Sequence, residues 1–324
     1  MVLFFAAQSI FAQNVTDTIA IEGVSILDNR LNTPLSKENR NIYVLDKAEI
    51  NKLPARSLQD VLQYAAGVDL RQRGPFGTQA DISMDGGSFE QTLILLNGVK
   101  IMDHQTAHNA LNLPIPLEAI DRIAVVRGPA ARVHGNNSLT GVINIVTRQP
   151  KKTGLYANTY FGTNFEKDSE DTGDTFTNRG IQFGANLAKE KHQHQLYASH
   201  DWGNGYRYNT VYENNKIYYQ GNFQFDDNNS LIASYGYVKN GFGANGFYAA
   251  PGDKNSKEVV ETTLVTLQAK NKLTDRWSIA PRFSYRYNFD DYRYFKNDLS
   301  KARSLHYSNS VSGEINSTYQ LSKG

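Results

Sequence analysis

The sequence predicts a mainly β protein: a small mixed α/β unit up to about Pro150, then the antiparallel strands of a transmembrane β-barrel. Three observations predict it. From Leu155 onward apolar and polar residues alternate with a period of two, the pattern of a sheet with one apolar and one wet face. The links between these runs are alternately short and long, as in membrane barrels with short turns at one rim and long loops at the other. Aromatic residues crowd into this half, with only Phe4, Phe5, Phe11, Tyr43, Tyr64, Phe76 and Phe89 before it.

In chain order, "MVLFFAAQSIFAQ" is a short apolar run ending in Ala12-Gln13, which predicts an export signal over residues 1–13. No Lys or Arg precedes it, and the competing reading is a buried N-terminal strand. It is too short to span a bilayer as a helix. "NIYVL" reads as a strand, and Asp46 with Glu49 as a capping box. Ser57 caps "LQDVLQYAA", whose Leu58, Val61, Leu62 and Ala65 share one face, with Gly67 as a left-handed stop. "VDLRQ" and "ADISM" are short strands, and "TLILL-NG-VKIM" is a hairpin around Asn97-Gly98. "IAVV" and "GVINIVT" are two further strands.

In the second half, "WSIAPRFSYRYNF" sets Trp277, Ile279, Pro281, Phe283, Tyr285, Tyr287 and Phe289 against Ser278, Arg282, Ser284, Arg286 and Asn288. "KIYYQGNFQF", "IQFGANLA" and "LHYSNSVSGEINSTYQL" repeat the pattern. About eight strands result, joined by short links "KEKH", "DDNN" and "LTD" and long ones such as "EKDSEDTGDTFTN". A soluble sandwich shares the alternation, but not the regular inequality of the links. Strands in hydrocarbon must pair every backbone group, which only a closed sheet achieves. Eight strands would close around nothing larger than their own side chains, whereas a unit of about 100 residues has a radius of gyration near 13 Å. The first unit therefore sits outside a small barrel or inside a larger one. On this reading Arg at Phe283 or Tyr285 faces lipid and is damaging, and Arg at Ser284 is mild.

The 324 residues carry a formal charge of +2, a mean hydropathy of -0.51 and no cysteine. This balance gives no electrostatic case for nucleic acid, and disulfides and thiolate metal sites are excluded. Gly128 to Ser138 lacks the GxxxxGK[ST] pattern, so no nucleotide loop is expected, and no nucleophile, base and orienter occur together, so no enzyme is expected. No cofactor or resident metal is expected either.

The stretch "AIDRIAVVRGPAARVHGNNSLTGVINIVTR" resembles the closing signature of the plug domain of TonB-dependent outer-membrane receptors. The matches are Ile120 to Ile123, Val125 to Pro129 with Arg127, Gly128 and Pro129, then Gly135, and Gly141 to Ile145 with Asn144. Ala124 stands where the family usually has Glu and His134 where it has Tyr, so no ion pair is carried over from the acidic position. "LQDVLQYAAGVDLRQRGPFGTQADISMDGG" and "TLILLNGVKI" are similar to upstream plug segments. "DTIAIEGV" (Asp17, Thr18, Ile19, Ala20, Ile21, Glu22, Gly23, Val24) resembles the TonB box, a short extended segment that would add a strand to its partner.

The resemblance implies a box segment and linker over 14–34, a plug over 35–150, and over 155–324 about eight of the 22 strands of a plugged barrel. Gly128, Gly135 and Gly141 would permit tight turns, and Arg127 would pair with lumen carboxylates or else be a solvated turn residue. It implies a Gram-negative outer membrane, the TonB energy-coupling protein and membrane lipid as partners, and import of a scarce large nutrient. A ferric siderophore or other iron chelate is the first expectation, with metal present only within the cargo; cobalamin is the second, and a passive porin the reading from another class. Asp103, His104, Gln105 and His108 fall in one apical plug loop and Arg73 and Phe76 in another, where they would touch cargo, the plain alternative being ordinary polar loops. Tyr206, Tyr208, Phe242, Phe247 and Tyr248 in outer loops would offer an aromatic surface or an upper girdle. His192 and His194 are expected to be solvated at an inner turn.

Overall fold

The computed structural model describes residues 41–321 except 75, 131–133, 136 and 248–252. The export signal, the box segment Asp17 to Val24 and Tyr248 lie outside the described residues. Among the described residues no helix is long and apolar enough to cross a membrane, a statement that does not bear on strands.

The first unit runs β1 (Ile42–Asp46), α1 (Lys47–Ile50), α2 (Leu58–Leu62), β2 (Val68–Gln72), β3 (Ala80–Met84), β4 (Thr92–Leu96), β5 (Val99–Ile101), β6 (Ile120–Arg127) and β7 (Gly141–Thr147). Five strands form a mixed sheet in the order β1-β6-β7-β4-β5, with β4 and β7 parallel, while β2 and β3 pair separately. The central strands are unbroken apolar runs because both of their faces are covered. Leu93, Leu95, Val126 and Val142 pack on one side. Ile94, Leu96, Ile143 and Ile145 pack on the other against Leu58, Val61, Leu62 and Ala65 of the α2 segment.

Both capping boxes form, Asp46 with Glu49 and Ser57 with Asp60. α2 is shorter than its apolar face predicts: helical structure ends at Leu62, and the chain then turns through Gly67 at φ +79, where a side chain would strike Arg127.

Asn97 (φ 48) and Gly98 (φ 76) make the expected two-residue hairpin turn between β4 and β5. The turn is fastened to β7: Asn144 Oδ1 accepts from the Gly98 N–H at 3.1 Å, and Asn97 Oδ1 from the Thr147 N–H at 2.8 Å. Asn144 is buried, so Asn144→Leu leaves an amide without its acceptor. The expected loss is about 1–3 kcal/mol, read as faster hydrogen exchange at Gly98; an unchanged exchange rate would show that this bond does not hold the turn.

Two expectations for the closing signature are corrected. Gly128 (φ +85) and Gly135 (φ +77) are turn residues, but Gly141 opens β7. There a Cβ would lie 2.2 Å from the Met84 methyl and 2.4 Å from the Val126 carbonyl, so close packing demands the glycine. Arg127 does not pair with a carboxylate of the second unit. Its guanidinium binds Asp85, in the turn after β3, because that turn folds back beside the end of β6 within the same unit.

The second unit is a single antiparallel meander, β8 (Gly154–Lys167), β9 (Thr175–Ala188), β10 (His192–Gly203), β11 (Tyr212–Gln224), β12 (Asn229–Gly243), β13 (Lys257–Lys272), β14 (Trp277–Arg293) and β15 (Arg303–Tyr319), with β8 and β15 at its edges. Links 189–191, 225–228 and 273–276 are short, and links 168–174, 204–211, 244–256 and 294–302 lie at the other rim. The long links are shorter than the sequence predicts. β9, for example, already begins at Thr175, inside the stretch read as loop. The apolar alternation stops before the strands do, whereas the hydrogen-bond ladder runs on through polar residues. Strands of 12 to 17 residues therefore exceed the roughly 9–11 that hydrocarbon requires.

The two faces of this wall are chemically opposite. Leu155, Phe183, Leu196, Ile217, Leu267, Phe283, Val311 and Ile315 are exposed on the convex side. Gln195, Gln220, Thr266, Ser284, Arg286 and Asn288 are buried on the other, beneath the first unit. The expectation of a mild effect for Arg at Ser284 is thereby corrected, since its hydroxyl meets the Lys100 carbonyl at 3.4 Å and only 5% of the residue is exposed.

Near the short-turn rim, Thr147 Oγ1 donates to Gln220 Oε1 (2.6 Å), Arg148 Nη2 to Tyr197 Oη (2.5 Å), and Arg282 Nη1 to the Gly98 carbonyl (3.3 Å). Near the long-loop rim, Asn240 Nδ2 donates to the Gly77 carbonyl (2.8 Å), Asn112 Nδ2 to Thr262 Oγ1 (2.9 Å), and Arg286 Nη2 to the Asn109 carbonyl (2.7 Å). The first unit thus lies along the wall from rim to rim, joined by hydrogen bonds and by apolar contacts that include Tyr197, Tyr218 and Leu264 of the wall.

Candidate functional site

Two segments of the first unit reach the long-loop rim: 73–79, between β2 and β3, and 102–112, after β5. They are tied together by a residue the sequence reading missed. Asp81, on β3, accepts from Arg73 Nη2 at 2.9 Å through one oxygen and from His108 Nδ1 at 2.5 Å through the other. A carboxylate only accepts, so the imidazole proton sits on Nδ1. The His108 ring also packs on Phe89, with centroids 4.5 Å apart.

Burial pushes the Asp81 carboxyl up, but the hydrogen bonds from His108 and Arg73 outweigh it and hold the pKa at about 2. The cluster's stabilisation is therefore complete above the ordinary carboxylate value near 3.8 and is lost as pH falls through about 2. Hydrogen-exchange protection in 73–81 and 103–109, corrected for the intrinsic pH dependence of amide exchange, is expected to fall between pH 4 and 2. A flat profile across the acid window would show that Asp81 is not the clasp.

The other residues singled out in these segments are deployed unequally. Asp103 is a loop staple, accepting from the backbone N–H groups of Gln105 (3.2 Å) and Asn109 (3.0 Å). Gln105 Nε2 donates to Asp290 Oδ2 of the wall at 2.7 Å. His104 is exposed. Phe76 is buried against Tyr212, Phe242, Ala244 and Phe247, and Arg73 also binds the Phe247 carbonyl.

Phe242 and Phe247 are correspondingly 2% exposed and form no outer aromatic surface, because the segment after β12 folds inward over Phe76. Nothing in the sequence signals this apolar cap, since both sides of the contact are single aromatics in polar segments.

Tyr206 and Tyr208 do lie among the outer links. Tyr206 is 46% exposed. Tyr208 donates to Asn255 Oδ1 (2.5 Å), while the Lys254 and Lys296 ammonium groups stand 5.1 and 5.2 Å from its ring centroid and Lys301 stands 5.6 Å from that of Phe295. Tyr208, Asn255, Phe295, Lys296 and Lys301 border an open cavity of about 370 Å³ that also takes in Asp171 and Asp298. Two of these cations are also ion-paired, Lys254 with Glu170 and Lys301 with Asp298 at 3.2 Å, so the outer surface here is mixed in charge.

At the opposite rim His192 and His194 are not merely solvated. His192 Nδ1 and His194 Nε2 are 3.0 Å apart, and His194 Nδ1 is 2.8 Å from Tyr219 Oη, because both are strand residues on one face of β10. Among the described residues no group of three or more His, Asp or Glu is arranged to hold a metal ion.

Residues 34–142 match the family model for the TonB-dependent receptor plug domain. Curated relatives include the vitamin B12 transporter BtuB of Vibrio vulnificus (strain CMCP6), 30% identical over 160 residues that make up 49% of this chain and 26% of the relative. The protein of the same name from Vibrio cholerae is 31% identical over 39% of this chain and 21% of its own length. The chain thus spans about a quarter of the length of these relatives. Among solved structures, the unliganded ferric citrate transporter FecA superposes with a TM-score of 0.69 at 17% identity, over 86% of this chain and 44% of that one. The siderophore receptor PirA of Pseudomonas aeruginosa gives 0.58 at 21%, over 84% and 43%. At these identities the likeness concerns the fold: a plug within a β-barrel wall.

Proposed function

We propose that this chain, which belongs to the TonB-dependent receptors, serves outer-membrane import of a scarce, large nutrient, with a ferric siderophore or similar iron chelate as cargo. The observation that carries this reading is the seating of the plug along the polar face of a lipid-compatible wall, with two of its segments at the long-loop rim. The cargo class is drawn from the exposed aromatic rings and Lys296 at the outer links, which would suit a chelate with aromatic or carboxylate groups, although Lys254 and Lys301 there already pair with Glu170 and Asp298. Cargo bound outside would be coupled to the Asp17 to Val24 segment through the plug, with energy supplied by the TonB system.

A second cargo, cobalamin, is favoured by the curated relatives, which are named vitamin B12 transporters. Growth of a deletion strain complemented with the full-length receptor, on ferric chelates or on cobalamin as the limiting source, separates the two. Growth on the chelates alone supports the first reading and growth on cobalamin alone the second. A steady large-channel current through the purified receptor in planar bilayers, with neither nutrient rescued, would instead make it a passive porin.

A further inference from the structure

On the long-loop half of β14, Arg286 is 3% exposed, and among the described residues only its Nη2 has partners, the Asn109 carbonyl at 2.7 Å and Asn288 Oδ1 at 3.4 Å. Its Nε and Nη1 are buried with no acceptor among the described residues. A buried guanidinium left two-thirds unsatisfied is costly, and such groups are normally completed by a water or a counter-ion. Asp103 is near enough to attract it, but its two oxygens already accept from the backbone of Gln105 and Asn109.

Arg286 borders a cavity between plug and wall whose other polar side chains are Lys100 and His104 from the plug and Ser284, Ser310 and Ser312 from β14 and β15. No carboxylate lines it. Among the described residues Lys100 has no ion pair. Its space of about 30 Å³ admits roughly two waters, or two anion oxygens in their place.

We propose that this cavity is an anion site, in which a small oxyanion is held by Arg286 and the serine hydroxyls, with Lys100 supplying charge and His104 a ring nitrogen from the plug side. An oxyanion offers several acceptors to a guanidinium fork and to hydroxyl donors, which a single water cannot match. Contributed from both units, the site makes occupancy a bond between plug and wall. It is distinct from the rim cluster around Asp81 and rests on no assumption about cargo.

The test titrates inorganic phosphate into the full-length receptor in detergent at constant ionic strength, following the thermal midpoint and ³¹P line width. Acetate is the second probe, so that a phosphate source and a carboxylate source are told apart by their relative affinity. A saturable rise in the midpoint with line broadening is expected, weakened at least tenfold in Arg286→Gln and several-fold in Ser310→Val. Ser310→Val keeps the buried guanidinium and serves if Arg286→Gln does not assemble. No saturable response to either anion in the unmodified receptor would overturn the site, showing that water, Asp103 or a carboxylate elsewhere in the receptor completes Arg286. Equal affinity in the variants would overturn it as well.

Discussion

Phe283→Arg is expected to lower the stability of the membrane-inserted receptor by about 2–4 kcal/mol, the largest loss for any single substitution considered. Phe283 stands on the convex face of β14, opposite Leu267 of β13 and Gly313 of β15. An arginine there meets acyl chains on all sides and must either snorkel along the wall or draw water into the bilayer.

The neighbouring change distinguishes the two faces. Ser284→Arg puts the same side chain under the plug, against the Lys100 carbonyl and beside Arg286. It should leave insertion intact but unseat the plug, since overpacking and like charge both act at the interface. Heat-modifiable gel migration reports the wall, and limited proteolysis of 41–150 reports the plug. Loss of insertion in Ser284→Arg with normal insertion in Phe283→Arg would reverse the assignment of faces.

Deleting Asp17 to Val24 is expected to abolish uptake while sparing capture of cargo at the cell surface. The argument is one of separation: the candidate cargo contacts cluster at the long-loop rim, and the box segment is expected to work by adding a strand to the TonB partner in the periplasm. Cell-associated labelled cargo should remain near the wild-type level at 4 °C, and accumulation at 37 °C should fall to that of a TonB-deficient strain. Retained accumulation would remove the coupling step from the proposed function.

How far the sequence revealed this molecule depends on what each residue pattern reports. The strands of the wall were legible because every second residue is apolar and exposed on one face, and the β4 and β7 runs because both of their faces are packed. Their ends were not legible: at the long-loop rim β8, β9 and β12 continue through polar residues whose pairing is fixed by the ladder and leaves no trace in hydropathy. The hairpin at Asn97-Gly98 announced itself through local backbone demands, whereas the Arg127 partner could not be foreseen, because Asp85 reaches it through tertiary folding of two turns.

The candidate site divides in the same way. Arg73 and His108 could be singled out by type and loop position. Asp81, which joins them, lies between Ala80 and Ile82 in an otherwise ordinary strand, and only the packing of two loops gives it a role. Phe76 and Phe247 looked like outward aromatics, since sequence alone does not say which exposed-looking ring finds a partner some 170 residues away.

The seam between plug and wall has a mechanical consequence. An oily seam resists separation until a large area parts at once, because exposed hydrocarbon is penalised in proportion to its extent. Outside the apolar patches around Phe76 and Leu264, the stretches stitched by amides, hydroxyls and guanidinium groups can come undone one stitch at a time, each freed group taking up water as it leaves. Tugging from the periplasmic side would then meet a series of low thresholds instead of one high one, and the plug could loosen locally while the wall stays intact in the bilayer.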